Sequence, residues 1–288
     1  MRRLALVGIA LGVLAAAGLA SAAAPVADPA PVIAAERAFA ARAGEVGIAP
    51  SFLEYMRDDA IIFAPDEVLA RAYYEKAPAP KPPSQGGTRL NWWPNFAGVA
   101  RSGDLGFTTG PATINGEPAG IFYFTVWARQ PDGPWKWIYD GGIDADGAGA
   151  PGPQAPAAVL PPGDARPLSA AVAMDQVRAA EIALAARART DSASAYKAVL
   201  APDARIQGSK LPPAATPAAV DRELATRPTA IAFGPIGGSA SRAGDLTWTF
   251  GDARWDAGRG HYVRIWQRRA GRWTLVFDQI VPVEKPAG

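Results

Sequence analysis

The chain has no cysteine and a single histidine in 288 residues. Without thiols there is no disulfide framework, no thiolate nucleophile or metal centre, and no residue for lipoprotein attachment. One histidine, His261, excludes a multi-histidine metal site and a histidine base repeated along the chain. There is no Gly-x-Ser-x-Gly elbow and no phosphate-binding glycine loop, so serine hydrolase and nucleotide enzyme chemistries lack a positive sign. Long apolar runs are also missing beyond the first 22 residues, and with them any later span long enough to cross a membrane.

The first residues have a distinct pattern. Arg2 and Arg3 precede an uncharged apolar run, Leu4 to Leu19, followed by the small residues Ala20-Ser21-Ala22. That order predicts a secretory signal peptide over 1–22, cleaved near Ala22, and a secreted or periplasmic mature chain with no stable membrane anchor. Removal of Arg2 and Arg3 takes the 29 basic residues to 27, equal to the 27 acidic ones. No basic excess is left to recruit nucleic acid through its phosphates, so no nucleic-acid partner is expected.

What is abundant is apolar mass. Hydrophobic residues make up 49%, with 9 Trp, 10 Phe and 7 Tyr, enough for a packed core. The length predicts about two domains. Between 145 and 167 the sequence turns to Pro, Gly and Ala and reads as a semi-rigid linker with no face to bury. It separates a first domain over 31–144 from a second over 168–284.

The two segments match. Ser102-Gly103-Asp104-Leu105-Gly106-Phe107-Thr108-Thr109-Gly110 aligns with Ala243-Gly244-Asp245-Leu246-Thr247-Trp248-Thr249-Phe250-Gly251, identical at five of nine positions. Gly133 to Asp140 aligns with Gly271 to Asp278, Trp127 with Trp266, Tyr123 with Tyr262, Glu36 with Glu181 and Arg42 with Arg187. Order and spacing are kept, which points to duplication.

Each segment predicts the same layout. An Ala-rich helix (31–43, 171–189) leads to a short helix (51–57, 192–200), a strand beginning near Asp59 or Asp203, and a third helix (66–75, 217–225). Three or four strands follow, with clear alternation in 121–129, 261–268, 135–140 and 273–280. Helices first and antiparallel strands after them is α+β.

These residues resemble the nuclear-transport-factor-2-like group, also called SnoaL-like or ketosteroid-isomerase-like, and most closely its domain-of-unknown-function 4440 branch. The signature is the helix–helix–strand order with Asp-Ala near the strand start, then the Gly-Asp-Leu corner, a strand ending in Trp, a glycine turn and a closing Trp-x-x-x-x-Asp. The resemblance implies two cone-shaped domains, each a curved, mainly antiparallel sheet packed on three N-terminal helices around an apolar pocket. It also implies pairing of such domains, here as an intramolecular pseudo-dimer. Members range from isomerases and dehydratases to non-catalytic binders, so the fold alone assigns no activity.

The candidates for chemistry are few. Aligning the apolar residues of the closing hairpin puts Tyr123 opposite Asp140 and Tyr262 opposite Asp278, within reach of phenol–carboxylate hydrogen bonds. Those pairs serve either proton transfer or the fold. His261 alternates in phase with Val263 and Ile265, as a packed or pocket-edge histidine. Asp58, Asp59 and Asp203 read as turn formers, and Asp59 is kept as a catalytic candidate. Trp92 and Trp93 align with Phe233 and Gly234; they either fill the core or form a platform for a flat ligand. With Tyr55 and the Pro-rich loop Ala77–Gly87 they mark the expected ligand pocket. No cofactor and no metal is expected. Three functions remain open: an exported binder of a small apolar or aromatic ligand or of a protein partner, without assignable catalysis; an isomerase- or dehydratase-like enzyme using Tyr, Asp and His; and a structural role with one segment degenerate.

Overall fold

The computed structural model describes residues 26–76, 81–131 and 133–284. The expected signal segment 1–22, and residues 77–80 of the Pro-rich loop, lie outside them. The first half comprises α1 (Ala30–Val46), α2 (Ile48–Tyr55), β1 (Met56–Phe63), β2 (Glu67–Leu69), α3 (Ala70–Lys76), a 3-10 turn (Pro83–Gln85), β3 (Leu90–Trp92), β4 (Phe96–Val99), β5 (Leu105–Ile114), β6 (Glu117–Arg129) and β7 (Trp135–Asp144). A short strand, β8 (Ala158–Val159), precedes the second half. That half comprises α4 (Ala170–Ala188), α5 (Ser192–Lys197), β9 (Leu200–Gln207), α6 (Pro217–Thr226), β10 (Ala232–Ala240), β11 (Leu246–Trp255), β12 (Gly258–Arg269) and β13 (Arg272–Val283).

The architecture is α+β with two sheets. One runs β2-β1-β7-β6-β5-β4-β8, with β3 also on β5; the other runs β10-β11-β12-β13-β9. Neighbours are antiparallel apart from three pairs. The strand after the second helix returns parallel to the closing strand in both halves, β1 on β7 and β9 on β13, and β8 lies parallel to β4.

The long helices bury one stripe each. In α1 it is Val32, Glu36, Phe39, Ala40 and Ala43; in α4 it is Ala173, Val177, Glu181, Leu184 and Ala188. Spacings of three and four residues put these on one face, pressed against the sheet. A glutamate sits inside each apolar stripe.

The other face of each sheet packs on its counterpart. Phe107, Phe124, Val126 and Tyr139 share one buried cluster with Trp248, Phe250, Val263, Ile265 and Phe277. Phe124 stacks on Phe277 with ring centres 4.0 Å apart. Such a pair adds about 0.5–1.5 kcal/mol beyond its burial. At the edge of the seam the two Gly-Asp corners exchange bonds. The backbone N–H of Arg101 donates to Asp245 and that of Arg242 donates to Asp104, both at 3.0 Å. Gly103 and Gly244 both take φ of 65°, a left-handed conformation that glycine adopts without strain.

Several local expectations change. β1 starts at Met56, where α2 ends, and a register shift between Met56 and Ile61 leaves Asp58 and Asp59 exposed within the strand. The segment expected to open the third helix instead forms β2, because Glu67–Leu69 pairs back on Ile61–Phe63. The closing hairpins are shifted by two residues from the expected register. Asp140 stands opposite Thr125, and Asp278 opposite Arg264. An even shift leaves the alternation of faces intact, so patterning alone does not detect it. The linker, expected to have no face to bury, does bury an apolar side chain. Leu160 is 4% exposed in the shared core, and the carbonyls of Pro151, Pro153 and Gly163 accept bonds from Trp93, Arg37 and Arg101.

Candidate functional site

In the first half, helices and sheet leave a cavity of about 320 Å³. Phe52 of α2, Ile62 of β1, Tyr74 of α3 and Trp92 of β3 form its apolar walls, while Tyr123 of β6 and Asp140 of β7 supply polar groups. Tyr123 and Asp140 lie on one sheet face, not opposite each other but diagonally adjacent, since Tyr123 faces Gly142. Tyr123 is 7% exposed, and its hydroxyl has no partner among the described residues. Asp140 accepts one bond at 2.7 Å, from the Thr125 hydroxyl.

Behind the cavity Glu36 is wholly buried. It accepts from the indole N–H of Trp92 at 2.5 Å, from that of Trp127 at 2.9 Å and from the hydroxyl of Thr108. Burial raises the Glu36 carboxyl above its ordinary pKa, and the bonds from Thr108, Trp92 and Trp127 counter part of that rise. Asp140 is pushed well above the ordinary value, first by burial and then by the negative charge of Glu36. Burial also raises the phenols of Tyr123 and Tyr74. No Lys or Arg among the described residues pairs with either carboxylate. Nor does any group of three or more His, Asp or Glu among them converge as metal ligands would.

The same place in the second half is filled. The guanidinium of Arg264 donates from Nε to Asp278 at 2.8 Å, from NH1 to Glu181, and from NH2 to the Tyr196 hydroxyl at 2.9 Å. It lies over the Tyr262 ring at 3.9 Å and the Phe233 ring at 4.2 Å. Arg227 brings a second cation within 2.7 Å of Asp278. Glu181 also accepts from Thr249 at 2.6 Å and from Trp266 at 2.8 Å. Burial pushes the Tyr196 phenol up to about 12. These side chains fill the place that the cavity takes in the first half with an ionic core; a separate pocket of about 310 Å³ lies between α4 and β10, beside Arg178, Ile182 and Ile236.

No family model matches the sequence, and no curated protein matches it. Among solved structures, the chain is similar to a nuclear-transport-factor-2-like protein of unknown function from Pseudomonas putida, at 13% identity over 41% of this chain and 92% of that one, with a TM-score of 0.34. A protein of unknown function with a cystatin-like fold from Nostoc punctiforme gives 15% identity, 41% and 96% coverage, and a TM-score of 0.34. A nuclear-transport-factor-2-like protein from Cytophaga hutchinsonii gives 12%, 38% and 98%, and 0.32.

Of the residues singled out in the sequence, Trp92, Tyr123 and Asp140 come together at the cavity. Trp93 does not: its indole N–H donates to the Pro151 carbonyl at 2.7 Å and holds the linker. Tyr55 also points elsewhere, stacking on Phe39 at 5.2 Å, and Phe52 one turn earlier takes the cavity wall. Asp59 pairs with Arg57, and Asp203 with Arg269, on the surface. Tyr262 and Asp278 belong to the closed core. His261 is buried in the seam between the sheets, stacked on Phe63 at 4.3 Å. Its nitrogens lie 3.3 Å from Asp66 and 3.2 Å from Asp252, neither aligned as a hydrogen bond. Glu36 is the member sequence reasoning passed over. Its signal was present: a charged residue in phase with Val32, Phe39 and Ala40 on a buried helix stripe.

Proposed function

We propose that the chain is an exported, duplicated protein of the nuclear-transport-factor-2-like type, in which the first half binds a small molecule and the second half is structural. The observation that carries the binding role is the cavity itself: aromatic walls, with Phe52 and Trp92 buried, one half-buried carboxylate and one buried, unpartnered phenol. A compact, flat, mainly apolar ligand with one hydrogen-bonding group fits that chemistry, since few polar groups in an apolar cleft fix orientation while burial supplies affinity. The duplication is supported by the exchange at the seam, where Arg101 meets Asp245 as Arg242 meets Asp104. Reciprocal contacts of this kind belong to two-fold pairing, here within one chain as a pseudo-dimer. Export rests on the pattern of residues 2–22.

Mass spectrometry of small molecules carried by the purified mature protein, followed by tryptophan-fluorescence titration, tests the binding role. Trp92→Ala should abolish the response and Trp93→Ala should leave it in place. Equal responses from both variants would overturn this assignment of the pocket. N-terminal sequencing of the periplasmic protein tests export, with a start after Ala22 expected.

One observation favours a second reading, an isomerase- or dehydratase-like enzyme. Asp140, held towards its protonated form, lies beside the Tyr123 phenol in an apolar site, an arrangement suited to proton transfer. Catalysis predicts that Asp140→Asn keeps ligand binding but loses turnover.

A further inference from the structure

The two halves offer an internal comparison. Three aromatic rings surround the Arg264 guanidinium: Tyr196, Phe233 and Tyr262, at 5.5, 4.2 and 3.9 Å. Each has an aromatic counterpart in the first half. Tyr262 corresponds to Tyr123 and Phe233 to Trp92 by the sequence match. Tyr196 corresponds to Phe52, because each lies four residues before the strand position that pairs with Trp137 or Leu275 (Met56 and Leu200). The geometry is repeated as well. Phe52 and Trp92 are 6.0 Å apart where Tyr196 and Phe233 are 6.1 Å apart. Trp92 and Tyr123 are 6.4 Å apart where Phe233 and Tyr262 are 5.3 Å apart.

The carboxylate under the cage is also repeated, Asp140 for Asp278. What differs is the occupant. Thr125 stands where Arg264 stands, and the cavity is lined by Phe52, Trp92, Tyr123 and Asp140 together. The second carboxylate is not exposed to a ligand, because Trp92 donates to Glu36 where Arg264 donates to Glu181.

We infer that the first-half cavity takes an organic monocation, a guanidinium or amidinium group on a flat apolar body, seated on Asp140 inside the Phe52–Trp92–Tyr123 cage. The inference rests on the binding role proposed above and names its ligand class. Aromatic faces attract a cation through their quadrupoles, and the effect grows when the cation is desolvated. Burial holds Asp140 towards its protonated form, and a cation seated on it favours the ionised form, so one carboxylate then meets one positive charge. The buried, unpartnered Tyr123 hydroxyl supplies an acceptor for a remaining N–H.

The test uses the full mature chain with benzamidinium and phenylguanidinium as probes and benzamide as the neutral isostere. Binding is read by tryptophan fluorescence and by the rise in Tm. Both cations should bind saturably and raise Tm, with benzamide at least tenfold weaker. Asp140→Asn should weaken the cations by roughly ten- to a hundredfold, the loss of one charge-assisted bond. Thr125→Arg should supply the guanidinium internally and block the probes while the far-UV spectrum stays native. Benzamide binding as tightly as benzamidinium, with both lost in Trp92→Ala, would overturn the cation class and leave the pocket standing. No response to any probe would overturn both. Unchanged cation affinity in folded Asp140→Asn would place the charge elsewhere and overturn the inference.

Discussion

Arg264 donates through Nε to Asp278 at 2.8 Å, with both side chains closed off from solvent. Removing one member of a buried ion pair leaves the other charge without its partner, which costs about 3–5 kcal/mol. Here the charge left without a cation is Glu181, since Arg227 still lies 2.7 Å from Asp278. Arg264→Ala should therefore lower unfolding free energy by about 3–5 kcal/mol in urea titrations. A change under about 1 kcal/mol would mean that the guanidinium is not what holds the second half closed.

Asp140 gives a pH signature of opposite kind. Its folded pKa is raised, by burial and then by Glu36, with the Tyr74, Tyr123 and Tyr139 phenols as its other titratable neighbours. Below the unfolded value of about 3.9, folded and unfolded chains both hold the proton and nothing is lost. As pH rises from there towards the folded pKa, the unfolded chain releases the proton first, so stability falls with pH. Asp140→Asn removes that slope. The variant should be more stable than the parent at pH 7, by on the order of 1 kcal/mol, and equal to it below about pH 4. Urea midpoints across pH 3–8 measure this.

Glu36 behaves differently, because three donors converge on it. A glutamine there turns one acceptor into a donor facing an indole N–H or a hydroxyl. Leaving one buried donor unmet costs about 1–3 kcal/mol, so Glu36→Gln should destabilise by that amount at neutral pH. A neutral result would show that the carboxyl is already protonated and bonded as a glutamine would be.

The seam between the sheets sets cooperativity. Phe277 stacks on Phe124 of the other half, and both are fully buried. Phe277→Ala should cost about 3–5 kcal/mol. Since one apolar cluster is shared, both halves should unfold in a single transition, with far-UV circular dichroism and tryptophan fluorescence coinciding. Two separated transitions in the parent chain would contradict this coupling.

Element order was legible in the sequence because it rests on local signals. Ala-rich stretches with apolar residues three and four apart read as α1 and α4, and two-residue alternation reads as β6, β7, β12 and β13. Register was less legible. Tyr123 faces Gly142 rather than Asp140, since a two-residue slip keeps every side chain on its face. Leu160 shows the same limit in the linker, because a four-residue apolar stretch, Ala157 to Leu160, bounded by prolines is too short to give a periodic sign of the partner it meets. In the pocket, Tyr55 and Phe52 share one short helix, and the rotation of that helix about its axis is set by packing on Phe39 and Trp92.

The sequence by itself determined the α+β class, the paired segments and the inventory of chemistry: no thiol, one imidazole, and matched Tyr, Trp, Glu and Asp in each half. These follow from composition and short-range pattern, which the chain carries without folding. Only the tertiary structure decided that Thr125 and Arg264 stand at matching places above Asp140 and Asp278, leaving one site open and closing the other. That difference arises from residues more than ten positions apart meeting across a bulged hairpin and under a helix carrying a buried glutamate. Such meetings depend on register and packing density, and one-dimensional periodicity encodes neither.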